Sequence, residues 1–280
     1  MKLVVALTLL IVGAFVFALV NDNREPAPTT AAEGTPLPAS AEAKPIIVEL
    51  FTSEGCSSCP PADEVLARLE QSPPVPGVEV IALSQHVDYW NRLGWTDPFS
   101  STQFSVRQSE YARAFGKDGV YTPQMIVDGQ TEFVGSNMGR ARDAIAQALK
   151  SPKATVRLER KSNQDAAAAD TAQLSVHIEN LPAMSAGDTA EVLLAVTETD
   201  LQTNVSRGEN SGRRLRHIAV VRQFNVIGNV NMSEGKAFTA APVVAISDGW
   251  KRENLRAVVF VQERASRQIL GAATIRLASK

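Results

Sequence analysis

The sequence predicts an α/β domain over residues 45–151 followed by an all-β, sandwich-like domain over residues 152–280. Three observations carry this. Apolar runs of strand length alternate with amphipathic helical stretches between Ile46 and Leu149. Two cysteines stand C-x-x-C where the first of those runs gives way to a helix. After Pro152 the helical period stops, and short runs with two-residue alternation, such as Leu174, Val176 and Ile178, take over.

Residues 1–20 come first. Met1-Lys2 precedes an 18-residue apolar run from Leu3 to Val20, the pattern of an export signal. The run is also just long enough to span a bilayer, so a cleaved signal peptide and a retained membrane anchor both stay open. Residues 21–44 change composition: Pro26, Pro28, Pro36 and Pro38 are interleaved with Ala, Thr, Ser and Glu. Such a stretch cannot bury enough surface to offset its ordering entropy and reads as a disordered tether. Export followed by a tether implies an oxidising compartment, the periplasm of a bacterium, where disulfides persist. The net charge of −2 and the pI near 6.0 leave no polybasic footprint, which argues against nucleic acid as a partner.

Ile46 to Phe51 is the first strand of the α/β part, and Ala62 to Glu70 is a helix with Val65, Leu66 and Leu69 on its apolar face. Pro60 and Pro61 are tolerable at its first turn, where N–H groups have no intrahelical partner, and could delay its start. Val78 to Val87 is a second strand, after the Pro-rich turn Ser72 to Gly77. Residues 88–119 form an insertion rich in aromatics, helical over Ser101 to Phe115. Asp128-Gly129 marks a hairpin turn between two short strands, and Asn137 to Leu149 closes this part as a helix.

Cys56 and Cys59 are the only cysteines in 280 residues. A dithiol at a helix start can open and close, and the helix dipole favours its thiolate, whereas Asp63 and Glu64 oppose it. Two blander readings stay open. One is a fixed disulfide, which stabilises little because its loop is so small. The other is a metal site, copper included, built from the cysteines with His86, His177 or His217.

Strand, C-x-x-C at a helix start, strand, helical insert, Thr-Pro, hairpin and helix together resemble the thioredoxin fold. More narrowly, Gly55-Cys56-Ser57-Ser58-Cys59-Pro60-Pro61 and Tyr121-Thr122-Pro123-Gln124 are similar to segments of a family of secreted bacterial thioredoxin-like proteins of unknown function. The resemblance implies that Cys56 is the exposed nucleophile and Cys59 the resolving thiol. It implies a cis-proline at Pro123 facing the dithiol, with the Thr122 backbone pairing to a bound substrate strand. It also implies that Glu49 is the buried carboxylate that relays protons, although it lies seven residues before Cys56 where the pattern uses six. On that reading Glu49 is desolvated and costly, and its removal leaves stability level or higher. Gly55 replaces the usual aromatic, and Ser57-Ser58 lacks a tuning His or Pro, so the direction of redox chemistry stays open.

His86, with Gln85, Asp88, Tyr89 and Trp90, ends the second strand as either packing or a substrate wall. In the β half, strands are expected at Ala154–Glu159, Gln173–Glu179, Glu191–Thr197, His217–Phe224, Ala237–Ile246, Leu255–Glu263 and Ile269–Leu277. Arg213, Arg214 and Arg216 beside Glu209 and Asn210 read as a solvated charged face. This half is expected to bind a partner or to dimerise. The functional expectation is an exported thiol–disulfide oxidoreductase acting on protein thiols or disulfides, without a cofactor. The alternative is a non-catalytic thioredoxin-like protein that binds a protein partner or a metal ion, its cysteines a fixed disulfide or thiolate ligands.

Overall fold

Strand β1 (Lys44–Thr52) runs through the middle of the fold, and its alternation sets the layers around it. Ile46, Val48 and Leu50 face a core shared with helices α1 (Pro60–Gln71) and α3 (Met138–Ala148). Ile47 and Phe51 face the other way, against Phe104 and Tyr111 of helix α2 (Thr102–Ala114). A strand covered on both faces needs a near-continuous apolar run, which this one supplies except at Glu49. The computed structural model describes residues 43–161, 170–184, 187–230 and 237–278. The apolar run at 1–20 and nearly all of the tether lie outside the described residues, and no described helix is long and apolar enough to cross a membrane.

β1 pairs in parallel with β2 (Val78–His86) and antiparallel with β3 (Gln124–Val127), which turns back as β4 (Thr131–Val134). In the turn, Asp128 and Gly129 have φ of 55° and 72°. A Cβ on Gly129 would lie 1.8 Å from the Arg267 carbonyl oxygen, so only glycine fits. Cys59 occupies the N-cap of α1, with Pro60 and Pro61 at its first turn, so the prolines do not delay the helix. Ser101 caps α2 by accepting from the Gln103 N–H at 3.2 Å, and Asn137 caps α3 through Arg140 at 3.0 Å.

The rest of the chain is β5 (Thr155–Arg160), β6 (Thr171–Glu179), β7 (Ala190–Glu198), β8 (Leu201–Asn204), β9 (Arg214–His217), β10 (Val220–Val230), β11 (Phe238–Ala240), β12 (Val243–Ala245), β13 (Leu255–Glu263) and β14 (Ile269–Arg276). Four of these extend the first sheet, giving a mixed eight-stranded sheet in the order β14-β13-β7-β10-β2-β1-β3-β4. The seam is β10 on β2, where Val220 lies opposite Ser84 and the Ser84 N–H donates to the Ala219 carbonyl at 2.8 Å. The expected boundary at 151/152, after which the described residues hold no α-helix, is therefore not a division of the sheet. β5, β6, β11 and β12 form a second sheet over β7 and β13, where Leu174, Val176 and Ile178 meet Val192, Leu194, Val259 and Val261. The run expected as one strand at 237–246 is interrupted before Val243 by Pro242, which has no ladder donor.

The large sheet coils so that its two ends meet. The Ile269 N–H donates to the Asp128 carbonyl at 3.1 Å, and Lys153 bridges the Asp128 carboxylate and the Ile269 carbonyl. Inside this coil Ile47, Phe51, Ile81 and Leu83 pack against Leu193, Val221, Phe224 and Phe260. One apolar core thus draws on both halves of the chain.

A fragment of residues 43–151 would expose that face of β1 and β2 to water. Thermal unfolding followed by circular dichroism should show one cooperative transition for residues 43–280 and none for the fragment. A fragment that melts cooperatively would mean that the α/β half closes its core alone.

Candidate functional site

Cys56 and Cys59 are joined in a disulfide with their Cα atoms 5.4 Å apart. The turn that presents them is tight: the Cys56 N–H donates to the Ser53 carbonyl at 3.1 Å, and the Cys59 N–H to the Cys56 carbonyl at 3.2 Å. The Cys59 carbonyl then accepts from Ala62 at 2.8 Å and Asp63 at 3.1 Å, which starts α1. Both cysteines are 0 % exposed, with only Ser57 and Ser58 between them open to solvent. The expectation of an exposed nucleophile at Cys56 is corrected accordingly.

The hairpin of β8 and β9, which periodicity along the chain does not reveal, docks onto this turn. Asn210, itself fully buried, donates its amide to the carbonyls of Glu54 and Cys56, each at 2.9 Å. Glu209 accepts from the Ser57 N–H at 2.9 Å, and Arg213 donates to the Asn210 side-chain oxygen at 2.8 Å. The expected solvated cluster is thus corrected at Asn210. Short strands such as Arg214–His217, half of them charged, carry too little apolar alternation to be recognised from sequence.

The Thr122–Pro123 peptide is cis, as expected. Pro123 lies beside the start of α1: a Cβ on Gly135 would sit 3.5 Å from the Pro123 Cβ and 3.0 Å from that of Ala62. Thr122 Oγ1 accepts from the Trp90 indole N–H at 2.8 Å. The Trp90 Cβ is in turn 3.3 Å from where a Gly55 Cβ would be. Gly55 therefore leaves room for Trp90, which ties the approach to Cys56 to the cis-proline. Asp88 and Tyr89 instead hold α2, through Thr102 and Ser105 at 2.5 Å each and Gln108 at 3.1 Å.

Glu49 is not beneath the dithiol, and its expected relay role is corrected. It shares the α2-facing side of β1 with Ile47 and Phe51, whereas α1 packs on the opposite side. Its carboxylate accepts from Arg107 at 2.7 and 2.9 Å, from Gln85 at 2.5 Å and from the Tyr111 hydroxyl. Burial opposes its charge, but the Arg107 guanidinium and these donors hold its pKa below the usual carboxylate value. The reason lies in the spacing. Side chains alternate between faces, so seven residues before Cys56 rather than six moves a side chain to the other face. Leu50 occupies the face toward α1.

A different titratable cluster flanks the cysteines. His86 Nδ1 lies 2.7 Å from Asp97 Oδ2, and His217 Nε2 lies 2.8 Å from Glu54 Oε1. The two imidazoles meet edge to face, centroids 5.0 Å apart, and each packs against Phe99 at 5.5 Å. Burial disfavours the His86 cation, but the Asp97 carboxylate outweighs it and raises its pKa. Asp97 is itself lowered, burial being overcome by His86 and by the N–H groups of Glu54 and Phe99. Asp63, half-buried on α1, accepts from Thr52 Oγ1 at 3.0 Å, and burial pushes its carboxyl up to about 6. His86 Nε2 and His217 Nδ1 are buried without a hydrogen-bond partner. A cleft of about 540 Å³ between α1 and the hairpin is lined by Asp63, Arg213, Arg214, Arg216 and His217.

Sequence order hides this cluster, because His217 arrives from a strand whose pairing could not be read. Among the described residues no three His, Cys, Asp or Glu side chains converge as a metal site, and His177 lies apart, 3.2 Å from Thr239 on β11.

Fold and site together define a mixed α/β protein that buries a C-x-x-C disulfide at a helix N-terminus. The chain belongs to the family described as "Protein of unknown function (DUF1223)", which it matches over residues 47–262, across the junction of its two halves. It is similar to the crystal structure of protein AGR_C_4864 from Agrobacterium tumefaciens. The two are 30 % identical with a TM-score of 0.63, over 86 % of this chain and 98 % of that one. It is also similar to HBP35 of Porphyromonas gingivalis, at 16 % identity and a TM-score of 0.62 over 85 % and 77 % of the two chains, a likeness of fold alone. No curated protein sequence matches it.

Glu49→Gln leaves Arg107 buried without its counter-charge and should lose about 3–5 kcal/mol in urea denaturation at pH 7. The native pKa is depressed, so the contribution of this carboxylate is present above its unfolded value of about 4.5 and lost as pH falls through the native one. The gap between parent and variant should therefore narrow in acid. An unchanged midpoint at pH 7 would mean that the ion pair contributes nothing net.

Proposed function

We propose that this protein is an exported, periplasmic thiol–disulfide oxidoreductase acting on protein disulfides, its residues 45–151 a thioredoxin-like unit and its β half a sandwich-like partner-binding module. The observation that carries this reading is the Cys56–Cys59 disulfide at the N-cap of α1, with the cis Thr122–Pro123 peptide beside that helix. The helix dipole at that end favours a thiolate. The Cys56 thiolate attacks one sulfur of a partner disulfide and releases the other as a thiolate. Cys59 then attacks the Cys56 sulfur, closing the internal disulfide and releasing the partner as a dithiol. The reverse sequence oxidises a partner.

Burial of both sulfurs favours a second reading, a fixed disulfide in a binding protein. The two readings diverge on the β8–β9 hairpin. An oxidoreductase must lift Asn210 and Glu209 off the cysteine turn before a partner sulfur can reach Cys56, while a fixed disulfide requires no such motion. The Asn210 bonds fall on the carbonyls of Glu54 and Cys56, so lifting the hairpin frees the backbone of the cysteine turn.

Two experiments test this. In the oxidising compartment, Cys59→Ala should accumulate covalent partners released by reductant, and Cys56→Ala should not; equal trapping, or none, would contradict the assigned roles. Asn210→Ala removes two buried hydrogen bonds from the cover. It should speed reduction of the disulfide by dithiothreitol roughly tenfold, the equivalent of about one net hydrogen bond. An unchanged rate would show that the hairpin does not gate the sulfurs.

A further inference from the structure

When Cys59 resolves a mixed disulfide it must lose a proton, and in the closed structure, with the hairpin docked, it is fully buried. The polar cluster that flanks the cysteine turn comes from five segments: Thr52 at the end of β1 with Glu54 just past it, Asp63 on α1, His86 on β2, Asp97 in the insertion, and His217 on β9. Arg222 on β10 stands beyond Phe99, 5.2 Å from its ring, and pairs with the buried Glu198 at 3.7 Å.

Most of these groups are committed. Asp97 accepts from His86, Glu54 and Phe99, and Glu54 holds Trp95 and His217. Three proton sites are not filled in this way. They are Asp63, held by the Thr52 hydroxyl on one oxygen, and the ring atoms His86 Nε2 and His217 Nδ1. Asp63 stands four residues after Cys59, and its N–H bonds the Cys59 carbonyl at 3.1 Å. That spacing places the two side chains on one helix face, about 5–6 Å apart at Cβ. Asp63 also lines the cleft and so has an outlet to solvent.

We propose that Asp63 is the proton acceptor for Cys59 in the resolving step, and that His86 and His217 are positioning residues that set its charge. This deepens the oxidoreductase reading and rests on it. The Cys59 thiol gives its proton to the Asp63 carboxylate. The Cys59 sulfur forms its bond to Cys56, and the Cys56–partner bond breaks with its electron pair on the partner sulfur, which takes a proton from solvent. Burial brings the Asp63 carboxyl into a range suited to accepting and releasing a proton near neutrality.

The test uses the full chain and glutathione. Reduced protein is mixed with oxidised glutathione, and mass spectrometry follows the Cys56–glutathione adduct and its resolution. Asp63→Asn should slow resolution roughly 10²-fold and flatten its rise with pH, while Cys56 adduct formation stays near the parent rate. Asp63→Glu should restore part of the pH dependence, which a purely structural role would not require. Resolution at the parent rate with an unchanged pH profile would overturn the proposal. A second measurement needs no turnover: the Asp63 carboxyl is titrated by ¹³C NMR in the oxidised protein and after phosphine reduction. Its titration should move between the two states, and identical curves would overturn the assignment. Should no adduct form at all, the oxidoreductase reading fails, and the NMR comparison still decides whether Asp63 senses the sulfurs.

Discussion

The fold depends on β1 being covered on both faces. Alternation sends Ile46, Val48 and Leu50 toward α1 and α3, and Ile47, Glu49 and Phe51 toward α2 and the coiled sheet. The first face anchors the helix whose N-cap is Cys59. The second can be sealed only by strands from the far end of the chain, since Phe224 and Phe260 complete it. The charge at Glu49 is tolerable there because Arg107, Gln85 and Tyr111 satisfy it, and Gln262 on β13 accepts from Arg107 at 3.0 Å. This ion-pair network therefore helps to join the two halves.

The same joining shapes the site. A C-x-x-C turn on a small α/β sheet would present its sulfurs to solvent. Here the chain passes from β7 into β8 and β9 before returning to the sheet as β10, and that detour sets Asn210 on the cysteine turn. It also delivers His217 to His86 and to Glu54, 163 positions away, adding one long-range buried acid–imidazole pair to the local His86–Asp97 pair. The cover over the cysteine turn and the arrival of His217 beside His86 are two consequences of one hairpin docking.

Much of this was legible in the sequence where structure is local. The strand-turn-helix around the cysteines, the Asp128-Gly129 hairpin and the Ser101 and Asn137 helix starts follow from periodicity and turn chemistry, and β1, β2, α1, α2 and α3 end within a few residues of expectation. The cis peptide at Pro123 followed from resemblance. What was not legible is long-range. Pairing of Val220 with Ser84 leaves no mark on either run, so the continuous sheet was read as two units. An isolated acid in an apolar strand signals burial without naming its partner, so resemblance alone sets Glu49 beneath the dithiol and not against Arg107. Arg107 lies 58 residues away, on a helix whose surroundings come from the far half.

The proposed function requires Cys56 and Cys59 to form a working redox pair beneath the hairpin. Its most direct test is the midpoint potential of that disulfide, read as the fraction alkylated after equilibration in dithiothreitol or glutathione buffers. The account predicts reversible reduction within the span of catalytic dithiols, about −120 to −270 mV. A disulfide that stays closed below about −300 mV would behave as a structural bridge and would contradict it.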